Sequence, residues 1–94
     1  MPTYSIIIPA YNESQRIAAT LERIGAYARE QQWELEVVVV NDGSRDNTVE
    51  VVNRNAQSYP CIHVIENPGN RGKGYSVRNG MLHATGDVLL FTDA

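Results

Sequence analysis

Asp42 follows four consecutive valines, Val37 to Val40, by two positions and stands directly before Gly43. A carboxylate there can accept a hydrogen bond from the imide or amide N–H of a pyrimidine or guanine ring, and its charge strengthens that bond. The run Asn41-Asp42-Gly43-Ser44 is also favourable turn chemistry with no ligand, and spacing serves both readings equally. Tyr11 and Glu13 follow the first apolar run. The ring can stack on a base, and the carboxylate can reach a ribose hydroxyl or base. Taken alone, packing for Tyr11 and helix-terminus electrostatics for Glu13 explain them without a ligand. Asp93 ends the last apolar run, where a carboxylate can hold a divalent cation bridging a diphosphate, although one carboxylate is a poor metal site. Cys61 and His63 stand two apart, on one face if both lie on a strand. A thiol nucleophile would need such a base, but the simpler reading of Cys61 is a small buried residue at a strand start.

The loop Asn67-Pro68-Gly69-Asn70-Arg71-Gly72-Lys73-Gly74 invites two phosphate-binding readings. A P-loop needs four residues between its first glycine and the Gly-Lys pair, whereas only Asn70 and Arg71 separate Gly69 from Gly72. The dinucleotide fingerprint needs a third glycine where Val77 stands, and it belongs after the first strand. A general possibility survives: backbone N–H groups at a helix N-terminus, with Arg71 and Lys73 beside them, form an anion site. A flexible loop with solvated charges accounts for the composition nearly as well.

The elements that must position these residues alternate. Tyr4–Pro9 reads as a buried strand stopped by proline, and Leu35–Val40, Ile62–Ile65 and Val88–Phe91 read as three more. Helices fall between them. The first is expected to begin at Asn12 with Gln15 closing a capping box; Ile17, Leu21, Ile24 and Ala28 form its apolar face, and Trp33 covers its end. The second runs from about Asp46, presents Val49, Val52, Ala56 and Tyr59, and is closed by Pro60. The third carries Val77, Met81 and Ala84 and leaves through Thr85-Gly86. The expected fold class is α/β: a Rossmann-like, mainly parallel sheet with helices on both faces. In such sheets ligands bind beyond the carboxyl ends of the strands, where all four candidate stretches lie.

Composition sets the outer bounds. The chain has 94 residues, 43% hydrophobic and 20% charged, as in ordinary globular domains. Its net charge of -3 disfavours nonspecific nucleic-acid or anionic-membrane binding, so no nucleic-acid partner is expected. The lone Cys61 fits a reducing compartment. No apolar run approaches the roughly 20 residues of a membrane span, and the first residues show no signal-peptide pattern. A cytoplasmic location is therefore expected.

Together the strand tips resemble the family 2 glycosyltransferases, among them the dolichyl- or polyprenyl-phosphate mannosyl- and glucosyltransferases. The resemblance runs through Ser5-Ile6-Ile7-Ile8-Pro9-Ala10-Tyr11-Asn12-Glu13, then Val38-Val39-Val40-Asn41-Asp42-Gly43-Ser44-Arg45-Asp46. It continues with Asn70-Arg71-Gly72-Lys73-Gly74 and Arg78-Asn79-Gly80-Met81, and ends with Gly86-Asp87-Val88-Leu89-Leu90-Phe91-Thr92-Asp93-Ala94. It implies a GT-A fold, the nucleotide-binding half of an inverting transferase that takes a nucleotide diphosphate sugar and Mg²⁺ or Mn²⁺. Pro9, Ala10, Tyr11, Glu13, Val40, Asp42 and Gly43 would line the nucleotide site, with Asp93 and Ala94 at its far edge. Asp93 would be the first Asp of the metal motif, whose second Asp is expected immediately after Ala94. Arg71 and Lys73 are added here, on weaker grounds, as diphosphate neighbours.

The acceptor implied is a polyprenyl or dolichyl phosphate or a glycan, with the whole enzyme associating with the cytoplasmic face of a membrane. Residues 1–94 would be the donor-binding N-terminal part of the transferase domain, truncated at Ala94 and inactive alone, with no catalytic residue of their own. The alternative is a noncatalytic α/β module that forms a homodimer through the exposed edge of its fourth strand.

Overall fold

The computed structural model describes residues 3–93. The elements follow in the order β1 (Thr3–Ala10), α1 (Ile17–Gln31), β2 (Glu34–Asn41), α2 (Thr48–Ser58), β3 (Ile62–Glu66), α3 (Lys73–His83) and β4 (Val88–Phe91). All the strand pairings are parallel, and the sheet order is β3-β2-β1-β4. Strand order therefore reverses between β1 and β4, the place where an open α/β sheet leaves a crevice beyond its carboxyl ends.

Side-chain alternation sends β1 and β2 to two separate cores. Ile6, Ile8, Ala10, Val37 and Val39 pack with Ile17 and Leu21 of α1 and Val52 of α2. Ile7, Val38 and Val40 form the opposite cluster, with Ile65 and Ala84 against it. The helices thus lie on both faces, and the continuous apolar runs of β1 and β2 are explained by burial on each side. Strand β1 runs through Pro9 to Ala10 rather than stopping at the proline. Pro9 pairs with Val40 but lies two positions past the last β1–β4 pair, Ile7 with Phe91, so its missing N–H falls beyond the β1–β4 ladder.

Helix α1 begins at Ile17, not Asn12, and no capping box forms. Asn12 has a φ of 52°, a left-handed conformation that asparagine tolerates. Its Oδ1 accepts the Arg45 N–H at 2.8 Å, and its own N–H donates to Ser44 Oγ at 3.0 Å. Asn12 is thus committed to the next loop. The expected apolar face of α1 is otherwise in place, with Ile17, Leu21 and Ala28 buried and Ile24 packed against the same core. Trp33, just past the helix, stacks on Tyr4 with ring centroids 4.1 Å apart and meets Tyr27 edge-on.

Helix α3 departs furthest from its sequence pattern. Its buried residues are Ser76 and Gly80, while Met81 is exposed and Val77 only partly covered. The cause is proximity to the sheet: a Cβ built on Gly80 would stand 2.5 Å from Ile7 Cγ2 and 3.1 Å from Val40 Cγ2. The chain returns from α3 to β4 under a second anchor. Glu36 Oε1 accepts the Ser5 hydroxyl at 2.7 Å and the Thr85 N–H at 2.9 Å, and the Gly86 N–H donates to Ser5 Oγ at 2.8 Å.

Cys61 and His63 do not form a pair. Cys61 precedes β3 and packs against the α1/α2 cluster, whereas His63 faces Glu36, with Nε2 3.6 Å from Oε2. Burial raises the Cys61 thiol above its ordinary range, the reverse of nucleophile activation. Gly80→Ala gains about 1 kcal/mol of helix propensity but overpacks the sheet by roughly 1–3 kcal/mol. We expect a net destabilisation of about 1 kcal/mol in urea unfolding; a variant as stable as the parent would mean that α3 does not need its glycine.

Candidate functional site

A cavity of about 390 Å³ opens at the carboxyl end of the sheet, lined by Pro9, Ala10, Tyr11, Glu13, Arg16, Asp42, Lys73, Ser76 and Asp93. The loop after β1, the tip of β2, the start of α3 and the segment after β4 all contribute. Its size is within the range of small-molecule sites. Pro9, Ala10, Tyr11, Glu13, Asp42, Lys73 and Asp93 are thus brought together as expected. Val40 is fully buried beneath α3, and Gly43 and Arg71 are also outside the cavity lining. Ala94 lies outside the described residues.

Asp42 is buried, and its carboxylate is the hub of the glycine loop. Oδ1 accepts the Arg71 backbone N–H at 2.6 Å and an Asn67 side-chain N–H at 2.8 Å, and Oδ2 accepts the Gly72 N–H at 2.9 Å. Burial by itself would raise this carboxyl, but the Arg71, Asn67 and Gly72 donors outweigh it and hold it below its ordinary 3.8. Asp42 is a turn residue, and its side chain also lines the cavity. A carboxylate has about four lone-pair sites, so Oδ2 retains capacity for one more donor.

Gly43 permits the clamp by its left-handed φ of 75° and its close approach to the loop. A Cβ there would stand 3.0 Å from the backbone of Gly69 and of Asn70. Gly72, with a φ of 92°, turns the loop into α3 while its N–H points at Asp42. The N–H groups of Arg71 and Gly72 are thus spent on Asp42, which leaves the first turn of α3 itself, from Lys73, as the part of the expected anion cradle outside that clamp. The Arg71 side chain donates from Nε to the Pro68 carbonyl at 2.8 Å and leans toward the Tyr75 ring. Lys73 is the cation that faces the cavity from this loop.

Glu13 is held by its neighbours. Its N–H donates to Thr48 Oγ1 at 2.9 Å, and its Oε1 accepts from Arg16 at 2.6 Å. Its Oε2 is buried with no partner among the described residues, an acceptor awaiting a donor. Thr48 in turn donates its hydroxyl to Asp46, whose carboxyl is lowered to about 2 chiefly by that bond. Tyr11 is 44% exposed, which leaves its ring available for stacking. Asp93 meets Lys73 at the cavity, Oδ1 to Nζ, at 2.7 Å.

Sequence reasoning missed Arg16, Ser76 and Asn67. Asn67 is buried, donates to Asp42 and to Ser76 Oγ, and accepts from Asn79 Nδ2 at 2.9 Å. Polar residues at the end of β3 and on the sheet side of α3 were the available signal.

For a divalent cation, the donor chemistry is partly present. Asp93 supplies a hard carboxylate oxygen of the kind Mg²⁺ and Mn²⁺ prefer. Among the described residues no group of three or more His, Cys, Asp and Glu side chains could hold a metal. Phosphate oxygens and water would have to complete the coordination.

The parallel four-stranded sheet with helices on both faces is an α/β fold of the GT-A, Rossmann-like kind. The sequence profile of the family described as Glycosyl transferase family 2 matches residues 5–94, and the chain belongs to that family. It is 41% identical over 95 residues to a dolichyl-phosphate beta-glucosyltransferase of Trichomonas vaginalis, covering 96% of this chain and 28% of the relative. It is 42% identical over 97 residues to a dolichyl-phosphate beta-glucosyltransferase of Drosophila melanogaster, covering 96% and 30%. The mannosyltransferase PcManGT from Pyrobaculum calidifontis, solved with GDP-Man and Mn²⁺, superposes with a TM-score of 0.84 at 35% identity, covering 98% of this chain and 27% of that one. The chain thus spans less than a third of the length of these relatives.

Asp42→Asn keeps the side-chain size and removes the charge that the loop donors require. It is expected to cost about 1.5–3 kcal/mol of stability near neutral pH. The Asp42 carboxyl is lowered in the folded state, so its contribution is complete above the unfolded value near 3.8 and is lost as pH falls through the lower folded value. The stability gap between parent and variant should narrow in that acid range. A gap independent of pH would mean that the charge does not hold the loop.

Proposed function

We propose that this cavity takes the nucleotide part of a nucleotide diphosphate sugar, as donor site of a transferase that moves a hexose to a polyprenyl or dolichyl phosphate or glycan acceptor. The observation that carries the reading is convergence. Seven residues singled out from separate strand tips line one cavity at the point where strand order reverses. Membership of family 2 and the dolichyl-phosphate glucosyltransferase relatives support the reaction class.

The geometry supports one role for each residue. The Tyr11 ring stacks on the base, and the spare lone pair of Asp42 accepts a base N–H. The partnerless Glu13 Oε2 accepts a ribose hydroxyl, which removes the cost of a buried unsatisfied acceptor. Lys73 pairs with the diphosphate. Asp93 holds a divalent cation, Mg²⁺ or Mn²⁺, which when bound stabilises the departing nucleotide diphosphate. Among the described residues no helix is long and apolar enough to cross a membrane. We place the reaction on the cytoplasmic side, with a lipid-phosphate acceptor reached at the membrane surface.

Calorimetric titration with UDP and GDP, with and without Mn²⁺, tests donor binding. One of the two should bind weakly, and Glu13→Gln should weaken it roughly tenfold by loss of a charge-assisted acceptor. No heat from either nucleotide at millimolar concentration, with the chain folded, would sink the reading.

A second reading rests on β4, whose residues Val88, Leu89, Leu90 and Phe91 are all exposed on an edge that, among the described residues, pairs with β1 alone. A second copy pairing along that edge would give a noncatalytic homodimer. Sedimentation over a wide concentration range discriminates: this reading requires a dimer, and a strict monomer removes it.

A further inference from the structure

Arg16 belongs to no strand tip, yet it lines the site cavity beside Glu13. A second cavity, of about 440 Å³, is lined by Asn12, Glu13, Ser14, Gln15, Arg16 and Asp46. Glu13 and Arg16 are therefore common to both cavities. Their side chains are joined by one bond, from an Arg16 Nη to Glu13 Oε1 at 2.6 Å.

The two partners are unequally placed. Arg16 is 69% exposed, whereas Glu13 is only 15% exposed. A pair this open to water on one side adds little to stability, so its effect is to be sought in the carboxylate it holds. The backbone of Glu13 is fixed without it. The Glu13 N–H donates to Thr48 Oγ1, and its carbonyl accepts the Arg16 and Ile17 N–H groups, all at 2.9 Å. What these bonds leave free is the side chain. Arg16 commits Oε1, so that Oε2 is the acceptor left over, covered and with no partner among the described residues. With Arg16 removed, neither oxygen keeps a donor. A buried acceptor without a donor is unfavourable, and the second cavity then offers water and the polar side chains of Asn12, Ser14 and Gln15 instead.

We infer that Arg16 is a positioning residue, which keeps Glu13 Oε2 available to a ribose hydroxyl and so makes the cavity select ribonucleotides over deoxyribonucleotides. The inference rests on the donor-site reading above and adds to it the residue on which sugar selection depends. A ribose hydroxyl donates to Oε2 and satisfies it. A deoxyribose lacking that hydroxyl leaves Oε2 covered and unpaired, and a site built around a hydrogen bond rejects the analogue that cannot make it. Arg16 itself does not contact the sugar and acts through Glu13. Lysine at this position still brings a cation to Oε1, although on a more flexible stem.

The test is a nuclear magnetic resonance titration of the ¹⁵N-labelled chain with UDP, GDP and their 2′-deoxy and 3′-deoxy analogues. The parent, Arg16→Met, Arg16→Lys, Glu13→Gln and the Arg16→Met/Glu13→Gln double variant are compared, and the amide spectrum reports that each is folded. In the parent, one deoxy analogue of the nucleotide that binds should bind roughly tenfold more weakly than the ribonucleotide, as expected for loss of a hydrogen bond to a charged group. Arg16→Met should weaken the ribonucleotide and leave that deoxy analogue nearly unchanged, so that the ratio falls toward one. Arg16→Lys should restore much of the ratio. In the double variant the ratio should be no lower than in Glu13→Gln alone, because the two side chains act as one unit. A folded Arg16→Met that weakens ribo and deoxy ligands alike, or a parent that does not distinguish them, overturns the inference while the donor site stands. If neither UDP nor GDP binds the parent, the donor-site reading fails and takes this inference with it.

Discussion

The carboxylate of Asp42 is the constraint on which the upper end of this domain depends. A buried charge is costly unless donors surround it. Here the donors are supplied by a loop with three glycines, Gly69, Gly72 and Gly74, whose backbone has little reason of its own to adopt one shape. Each therefore requires the other. Fixing Arg71 and Gly72 on Asp42 sets where α3 starts, and the start of α3 sets where Lys73 and Ser76 enter the cavity. Asn67 extends the same network to Ser76 and Asn79, so that the polar layer under the loop is shared among strand, loop and helix.

A second set of bonds does the same for the opposite wall. Residues 11–16 are not helical, and their polar groups turn to the loop after β2: Asn12 to Ser44 and Arg45, the Glu13 N–H to Thr48, the Ser14 N–H to Asp46. Backbone groups that do not enter a helix need partners elsewhere, and this loop provides them. The consequence is functional as well as structural. Glu13 is placed from two sides, by Thr48 at the start of α2 and by the start of α1, where the Arg16 and Ile17 N–H groups donate to its carbonyl; among the described residues one carboxylate oxygen is committed to Arg16 and the other has no partner. Arg16 thus orients the acceptor without consuming all of it.

The sequence showed these features unequally, for physical reasons. Strands β1 and β2 were legible because burial on both faces demands unbroken apolar runs, Ile6–Ile8 and Val37–Val40, and β4 showed the same kind of run although its side chains are exposed. The face of α1 was legible because large aliphatic residues recur with helical spacing. The start of α1 was not, because Asn12 has the composition of a cap but spends its side chain on Arg45, a partner 33 positions away. The buried face of α3 was hidden for the opposite reason. Where a helix lies this close to a sheet, small residues pack and large ones are turned outward, so Val77 and Met81 pointed to the wrong side. At the site, strand-tip position was enough to find Tyr11, Glu13, Asp42 and Asp93. It could not reveal that Asp42 already holds three donors, because those donors lie 25 to 30 positions further along the chain.

That commitment changes the electrostatic character of the cavity. Counted by sequence alone, Glu13, Asp42 and Asp93 make the lining acidic and hostile to a diphosphate, with Arg16 and Lys73 as insufficient compensation. Counted by geometry, Asp42 is balanced by N–H dipoles and Glu13 by Arg16, and the exchangeable charges are reduced to Lys73 and Asp93. The field at the cavity mouth is therefore set by one cation and one anion in contact, and interactions there depend on which of the two is uncovered. The cavity thus joins a wall held by buried hydrogen bonds, at the ends of β1 and β2, to an edge at α3 and β4 where both charged side chains are solvated.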